Sequence, residues 1–205
     1  MRCGRRVGLL GGSFNPAHDG HRHISLIALE RLRLDEVWWM VSPQNPLKAT
    51  ADMATMAARI EAAQRIADHR RIRVTGIESE FGTSHTVDTI AALRRRFRAI
   101  RFVWLMGADN LVQIPQWKQW RRLFRSVPIA VFPRPTYSLR ALSGVASRRF
   151  AKARVPPSRA RALADLRPPA WTFLRVPTHA TSATEIRRRT RGPDGREPEW
   201  TPEKA

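Results

Sequence analysis

The chain has 205 residues, of which 42% are hydrophobic, and this is enough for one domain with a full core. Its single cysteine, Cys3, excludes an intrachain disulfide and a cysteine-based zinc site, and no segment is apolar over the length of a transmembrane helix. The apolar run after the first arginines is too short for a signal peptide, so we expect a soluble, cytoplasmic protein.

The formal net charge is +20, and 33 of the 37 basic residues are arginine, a skew that codon composition explains as readily as ligand binding does. Residues 110–164 contain twelve of these basic residues and no acidic one. A positive cleft speeds the capture of anions. No helix-turn-helix, zinc-finger or aromatic RNA-binding pattern accompanies the charge, which therefore does not by itself indicate a nucleic-acid partner. The sequence leaves the oligomeric state open.

The predicted elements begin with a short strand, Val7-Gly8-Leu9-Leu10, and an amphipathic helix from Ile24 to Leu34. The turn between them reads Gly11-Gly12-Ser13-Phe14-Asn15-Pro16-Ala17-His18-Asp19-Gly20-His21. Its glycines let a ligand approach the backbone closely, and the N–H groups that open the helix favour an anion. His18 and His21 are three residues apart, so on a helix they share one face. The turn is therefore a predicted phosphate site.

After this turn strands and helices alternate, which predicts an α/β fold: a Rossmann-like, doubly wound parallel sheet with helices on both faces and a small helical C-terminal part. The predicted strands are 37–41, 72–74, 101–106, 129–132 and, at the edge, 171–174. The predicted helices are 53–68, 86–97, 117–124, two pieces between 138 and 169 split at Pro156-Pro157, and a capped helix at 181–189. We expect residues 1–191 to form one domain and residues 192–205 a disordered tail.

The motif G-G-x-F-[DN]-P-x-H-x-G-H at residues 11–21 resembles the signature of the nucleotidylyltransferase superfamily, and in its full form that of bacterial nicotinate mononucleotide adenylyltransferases. Neither a Walker A loop nor a G-x-G-x-x-G fingerprint occurs. The resemblance implies contacts of this turn with ATP from Gly11, Gly12, Ser13, Phe14, His18 and His21, and places Asn15 on the side of the second substrate.

Two further stretches are similar to the superfamily's phosphate-binding segments. Ser182, Thr184 and Arg187 match its second ATP-binding motif, although taken alone they form only a capped basic helix. Pro43-x-x-x-x-Lys48 resembles the segment whose lysine reaches a phosphate, so the resemblance assigns Lys48 to catalysis and to the second substrate.

The remaining matches concern the adenosine and pyridine ends of the site. Gly107 and Asp109 resemble the ATP side, and Trp117 resembles the residue that stacks on the pyridine ring, whereas Trp120 is expected to pack in the core. Ser84-His85-Thr86-Val87-Asp88-Thr89 matches the family's S-x-T-x-D-T segment, with Thr86 near the pyridine substituent. Arg134 stands where the family has an R-P-G turn and is assigned to the substrate phosphate, but Thr136 replaces the glycine of that turn.

The implied chemistry is attack of the mononucleotide phosphate on the α-phosphorus of ATP, with pyrophosphate leaving. The nucleophile is already an anion near neutral pH, so the site must supply alignment and charge stabilisation rather than a base. The residues suited to this are His18, His21, Lys48 and Arg187. The resemblance also implies Mg²⁺ held mainly by the ATP phosphates, with no protein ligand that we can name.

The nicotinate carboxylate only accepts hydrogen bonds, whereas the amide also donates them. Residues 85–87 and the Trp117-Lys118 step offer hydroxyl and N–H donors, and Asp88 should point elsewhere, so we predict a preference for nicotinate mononucleotide over nicotinamide mononucleotide. Two alternatives remain. One is another superfamily member, either a nicotinamide mononucleotide adenylyltransferase or a phosphopantetheine adenylyltransferase, and Trp117 and Thr86 argue against the latter. The other is a basic nucleic-acid-binding protein that keeps the fold without activity.

Overall fold

The computed structural model describes residues 4–43 and 53–177, which build a six-stranded parallel sheet with helices packed on both faces. The strands are β1 (Arg6–Gly12), β2 (Glu36–Val41), β3 (Ile72–Thr75), β4 (Arg101–Gly107), β5 (Ile129–Phe132) and β6 (Trp171–Phe173). All neighbouring strands pair in parallel. The predicted doubly wound α/β sheet is confirmed, and so is its edge strand at Trp171.

The order of strands across the sheet is β3-β2-β1-β4-β5-β6. The chain runs outward from β1 to β3, returns to the other side of β1 for β4, and then runs outward again. The loops that leave the carboxyl ends of β1 and β4 therefore diverge to opposite sides, which opens a crevice between them.

The α-helices of the described residues are α1 (Asp19–Arg31), α2 (Met56–Ala67), α3 (Ile77–Glu80), α4 (Thr86–Arg96), α5 (Ala108–Gln113), α6 (Trp120–Ser126), α7 (Ser138–Ser143) and α8 (Val145–Arg149). Three 3₁₀ helices, Ile114–Gln116, Ala151–Ala153 and Pro157–Asp165, complete the set. Strand side chains alternate between two cores: Trp38 and Met40 of β2 enter one, and Trp39 enters the other. Burial on both faces explains why these strands are continuously apolar.

The arginine-rich segment 138–169 differs from the two helical pieces that were predicted. It holds four short helices, and the first break comes at Gly144, whose extended backbone (φ −72°, ψ 170°) ends α7 and begins α8. The segment is fastened to the edge strand, because the indole N–H of Trp171 donates to the Phe150 carbonyl over 2.8 Å and the Val155 N–H donates to the Trp171 carbonyl over 2.7 Å.

Three helix starts also differ from the prediction, and α2 begins at Met56 rather than at residue 53. α1 begins at Asp19 rather than Ile24, so His18 is the residue that precedes the helix and His21 belongs to its first turn. α6 begins at Trp120 rather than Trp117, because Trp117 is extended (ψ 144°) and Gln119 is left-handed (φ 49°). None of the helices in the described ranges is long and apolar enough to cross a membrane. The predicted helix at 181–189 and the tail 192–205 lie outside the described residues.

Candidate active site

The crevice lies at the carboxyl edge of the sheet, where the strand order reverses between β1 and β4. These two strands pair over five residues and end at Gly12 and Gly107. In open parallel sheets ligands bind at such a switch point. The loops predicted to bind ATP after β1 and after β4 therefore start side by side.

Position 11 has room only for a glycine, because the Trp104 side chain of β4 packs against it. A β-carbon at this position would lie 2.6 Å from the tip of the Trp104 indole, so any other residue would displace that buried ring. Trp104 lies edge-on to Trp117, with ring centroids 6.5 Å apart. Two tryptophans thus connect the predicted phosphate loop to the residue predicted to stack on the pyridine ring.

Phe14 has a left-handed backbone (φ 47°), which costs an ordinary L-residue about 1–2 kcal/mol. Its ring offsets this cost by stacking on Trp39, with centroids 5.1 Å apart, and it also touches the ring of His21 at 4.7 Å. The side chain is only 1% exposed. Any contact of Phe14 with ATP must therefore come from its backbone.

The two histidines do not simply share a helix face. His18 is the residue before the helix, with an extended backbone, and His21 is in the first turn. Their ring centroids are 3.8 Å apart, and the backbone N–H of His18 donates to Nδ1 of His21 over 3.2 Å. An accepting Nδ1 carries no hydrogen, so this bond assigns the neutral tautomer of His21 with its hydrogen on Nε2. His21 is thereby prepared to donate to an anion.

Arg59 of α2 was not predicted as a site residue, yet it is 3% exposed and lies beside the phosphate loop. Its guanidinium donates to the carbonyls of Ser13, Ser42, Pro43 and Ala54. Burial lowers the pKa of Arg59 from its ordinary value. The sequence did contain a signal: Arg59 is spaced by four and eight residues from Ala63 and Ala67, which are the other buried residues of α2.

Glu78 of α3 is a second buried charge that the sequence did not reveal. It is 5% exposed and accepts a hydrogen bond from the Ser42 hydroxyl. Burial raises the pKa of Glu78, and hydrogen bonds from Ser42 and Thr89 partly oppose that shift. The Thr89 hydroxyl also lies 3.2 Å from the His85 carbonyl. Ser42, at the end of β2, therefore connects to α3 and to the start of α4.

The predicted pyridine side is formed by the start of α4 and by the loop before α6. Thr86 is the first residue of α4, so its N–H and that of Val87 have no acceptor within the helix. Asp88, predicted to point elsewhere, pairs with Lys118 at 3.3 Å. Trp120 packs in the core as predicted, edge-on to two phenylalanine rings.

Asp109 and Arg134 were assigned to different substrates, and the structure brings them together. Arg134 Nε lies 3.8 Å from Asp109 Oδ1, an oxygen that is buried and has no hydrogen-bond partner among the described residues. A β-carbon on Gly107 would meet both side chains, at 2.2 Å and 3.1 Å. Thr136 is left-handed (φ 65°), the conformation that the missing glycine of this turn would adopt freely. Lys48, Ser182, Thr184 and Arg187 lie outside the described residues.

The cytidylyltransferase-like family matches the chain over residues 9–189. A probable nicotinate-nucleotide adenylyltransferase of Parvibaculum lavamentivorans is 51% identical over 186 residues, which cover 91% of this chain and 92% of that protein. A second one, of Gluconobacter oxydans, is 52% identical over 182 residues, which cover 89% and 93%. The chain belongs to the nicotinate-nucleotide adenylyltransferase family. This membership confirms the resemblance predicted from the motif at residues 11–21.

The fold of the nicotinate-nucleotide adenylyltransferase family is also found among solved structures. Plasmodium falciparum nicotinic acid mononucleotide adenylyltransferase, solved in complex with NaAD, superposes with a TM-score of 0.68 and covers 90% of this chain and 83% of its own. A second structure of that protein, complexed with APC, gives a TM-score of 0.66. Their sequence identities of 15% and 14% make this a similarity of fold.

Proposed function

We propose that the crevice joins ATP and nicotinate mononucleotide to give deamido-NAD and pyrophosphate, as a step of NAD biosynthesis. The observation that carries the proposal is the His18–His21 pair, held ring to ring at the opening of α1 and at the switch point of the sheet. The pair supplies N–H donors where α1 presents its positive end, and this combination suits a polyphosphate.

The nucleophile is a phosphate that is already anionic, so the site has to align it with the α-phosphorus and stabilise the charge that grows on the transferring and leaving oxygens. His21, with its hydrogen on Nε2, donates to one of these oxygens. His18 acts beside it, and Lys48 and Arg187 are proposed to add positive charge. No residue has to remove a proton or form a covalent intermediate.

Mg²⁺ is proposed to arrive with ATP, where it neutralises phosphate charge. The described ranges contain no group of three or more His, Cys, Asp and Glu side chains that could hold a metal. We propose that the ion is held mainly by nucleotide phosphates and water, which is the usual arrangement for Mg²⁺.

The pyridine pocket is proposed to select the acid. The first N–H groups of α4, which have no acceptor within the helix, and the Thr86 hydroxyl are donors that match a carboxylate. The nearby acid, Asp88, pairs with Lys118, and we propose that it does not face the substituent of the pyridine ring. Trp117 is proposed to stack on the ring.

The test is product analysis with purified protein, ATP, nicotinate mononucleotide and Mg²⁺. We expect deamido-NAD and pyrophosphate in equal amounts, and none of either when Mg²⁺ is chelated or the mononucleotide is omitted. Pyrophosphate without deamido-NAD would contradict the proposal, and so would full activity after chelation. We also propose that the reaction takes place in the cytoplasm, where ATP is available.

A further inference from the structure

Arg59 makes an unusual set of contacts for a buried charge. Its Nη1 donates to the Ser13 carbonyl over 2.7 Å and to the Ser42 carbonyl over 2.8 Å. Its Nε donates to the Ala54 carbonyl over 2.9 Å, and Nη2 donates to the Pro43 carbonyl over 3.3 Å. One planar guanidinium thus joins the loop after β1, the loop after β2 and the segment that leads into α2.

The partners of Arg59 are all neutral. No carboxylate of the described residues lies within ion-pair distance of its guanidinium. A buried cation without a counter-charge is costly, and an apolar side chain of similar volume would often serve a fold as well or better. Arg59 lies at the edge of the proposed ATP site. The free-energy cost of burying its charge there points to a role in that site rather than in the core alone.

The contact with Ser13 determines where the next peptide group points. The Ser13–Phe14 bond is trans, and in a planar trans peptide the carbonyl and the following N–H point in opposite directions. Because Arg59 holds the Ser13 carbonyl toward α2, the Phe14 N–H points away from α2. Within the described residues this N–H has no hydrogen-bond acceptor.

We propose that Arg59 is a positioning residue for adenylyl transfer: it turns the Ser13 carbonyl away from the crevice and so presents the Phe14 N–H to a phosphate of ATP. Its bonds to the carbonyls of Ser42 and Pro43 hold these two residues, which follow β2, beside the same turn. The inference rests on the proposed function, because it names ATP as the ligand of the turn.

The test compares Arg59→Lys with wild type and with Arg65→Met. Lysine keeps the charge but cannot reproduce the fork that reaches four carbonyls. Arg65 is on the same helix, its side chain is 68% exposed, and its described ion pair is with Glu61 alone. Steady-state kinetics with each substrate varied give kcat and KM separately, and circular dichroism with a thermal scan reports folding.

We expect folded Arg59→Lys to show a higher KM for ATP and a kcat/KM for ATP about 100-fold lower, the loss typical of an ångström-scale misplacement. The KM for nicotinate mononucleotide should change less, and Arg65→Met should match wild type. A residue that only supports the fold would lower the active fraction, and with it kcat, without changing either KM. The proposal would be overturned if Arg59→Lys lost kcat with both KM values unchanged. Wild-type kinetics in Arg59→Lys, or an equal loss of kcat/KM in Arg65→Met, would also overturn it.

Hydrogen exchange on the wild-type enzyme provides a second measurement that needs no variant. Addition of α,β-methylene-ATP should slow exchange of the Phe14 amide, and an unchanged rate with saturating nucleotide would overturn the proposal. Failure of this inference is distinguishable from failure of the proposed function. If wild type makes no deamido-NAD the function is wrong, whereas an active wild type with an unprotected Phe14 amide refutes only the role of Arg59.

Discussion

The hydrogen bond from the His18 N–H to Nδ1 of His21 determines what the second histidine can offer a substrate. With Nδ1 occupied as an acceptor, a neutral His21 presents an N–H donor at Nε2 and needs no positive charge to bind a phosphate oxygen. Two imidazolium rings 3.8 Å apart would also repel each other. The pair therefore suits hydrogen-bond donation better than it suits two full charges.

We predict that His21→Ala folds but turns over at least about 100-fold more slowly, because it removes one donor to charge that develops in the transition state. The comparison is kcat/KM for pyrophosphate release, with His69→Ala as the matched control. His69 lies before β3, at the opposite edge of the sheet, where its ring accepts from the Arg71 N–H. Near-wild-type turnover in His21→Ala would contradict its role, and so would an equal loss in the control.

Among single residues, some members of the site could be predicted from the sequence and others could not. The histidines were found because their spacing forms part of a motif, and their approximate place at the start of α1 followed from it. Arg59 and Glu78 carry no motif, and each becomes meaningful only when distant carbonyls or hydroxyls are brought to it. A charge at a buried helical position is the signal that could have marked Arg59 beforehand.

Among the elements, the strands were the most predictable. The central strands are buried on both faces, so a continuous apolar run identifies them, as for Ile129–Phe132 between Pro128 and Pro133. The edge strand Ile72–Thr75 is the exception, since Arg73 is exposed. The helices after β5 were not predictable in the same way, because their alanines and arginines favour a helix anywhere along the segment. Tertiary contacts decide the breaks there, such as the bonds of Trp171 to the backbone at Phe150 and Val155.

The turn between β5 and α7 carries a prediction about stability. Thr136 is β-branched and left-handed (φ 65°), so Thr136→Gly should raise the free energy of unfolding by about 1 kcal/mol. Thr136→Ala is the control, because it removes the branch and the hydroxyl without the freedom of glycine. Urea unfolding of wild type, Thr136→Gly and Thr136→Ala gives the order of their free energies of unfolding. A glycine variant less stable than the alanine variant would show that the threonine conformation is not strained.

At the scale of the whole molecule, several charged side chains at the edge opposite the crevice are engaged within the protein. A cavity of about 140 Å³ lies there, lined by residues that include Arg94 and Arg101. Arg94 donates to the Ser126 carbonyl over 2.7 Å, and Arg101 pairs with Asp165, which also binds Arg6 at 2.7 Å. These arginines are engaged within the protein, so the loops at the carboxyl edge remain the place for an anionic ligand.

The positive charge of the molecule fits its proposed substrates, since a positive field raises the capture rate of polyanions such as ATP. Charge alone does not distinguish a nucleotide enzyme from a nucleic-acid-binding protein. The proposed pyridine pocket would make the distinction, because a general polyanion binder does not need one.

The proposed selectivity of the crevice for the acid is tested most directly by kinetics with saturating Mg-ATP. Pyrophosphate release gives kcat/KM for nicotinate mononucleotide and for nicotinamide mononucleotide. A pocket built of donors rejects a substrate with mismatched hydrogen bonds by roughly 10⁴ or more, so we expect the acid to be preferred by that order. Equal values for the two mononucleotides would contradict acid selectivity. No release with either would contradict the assignment of this crevice to pyridine nucleotide adenylylation.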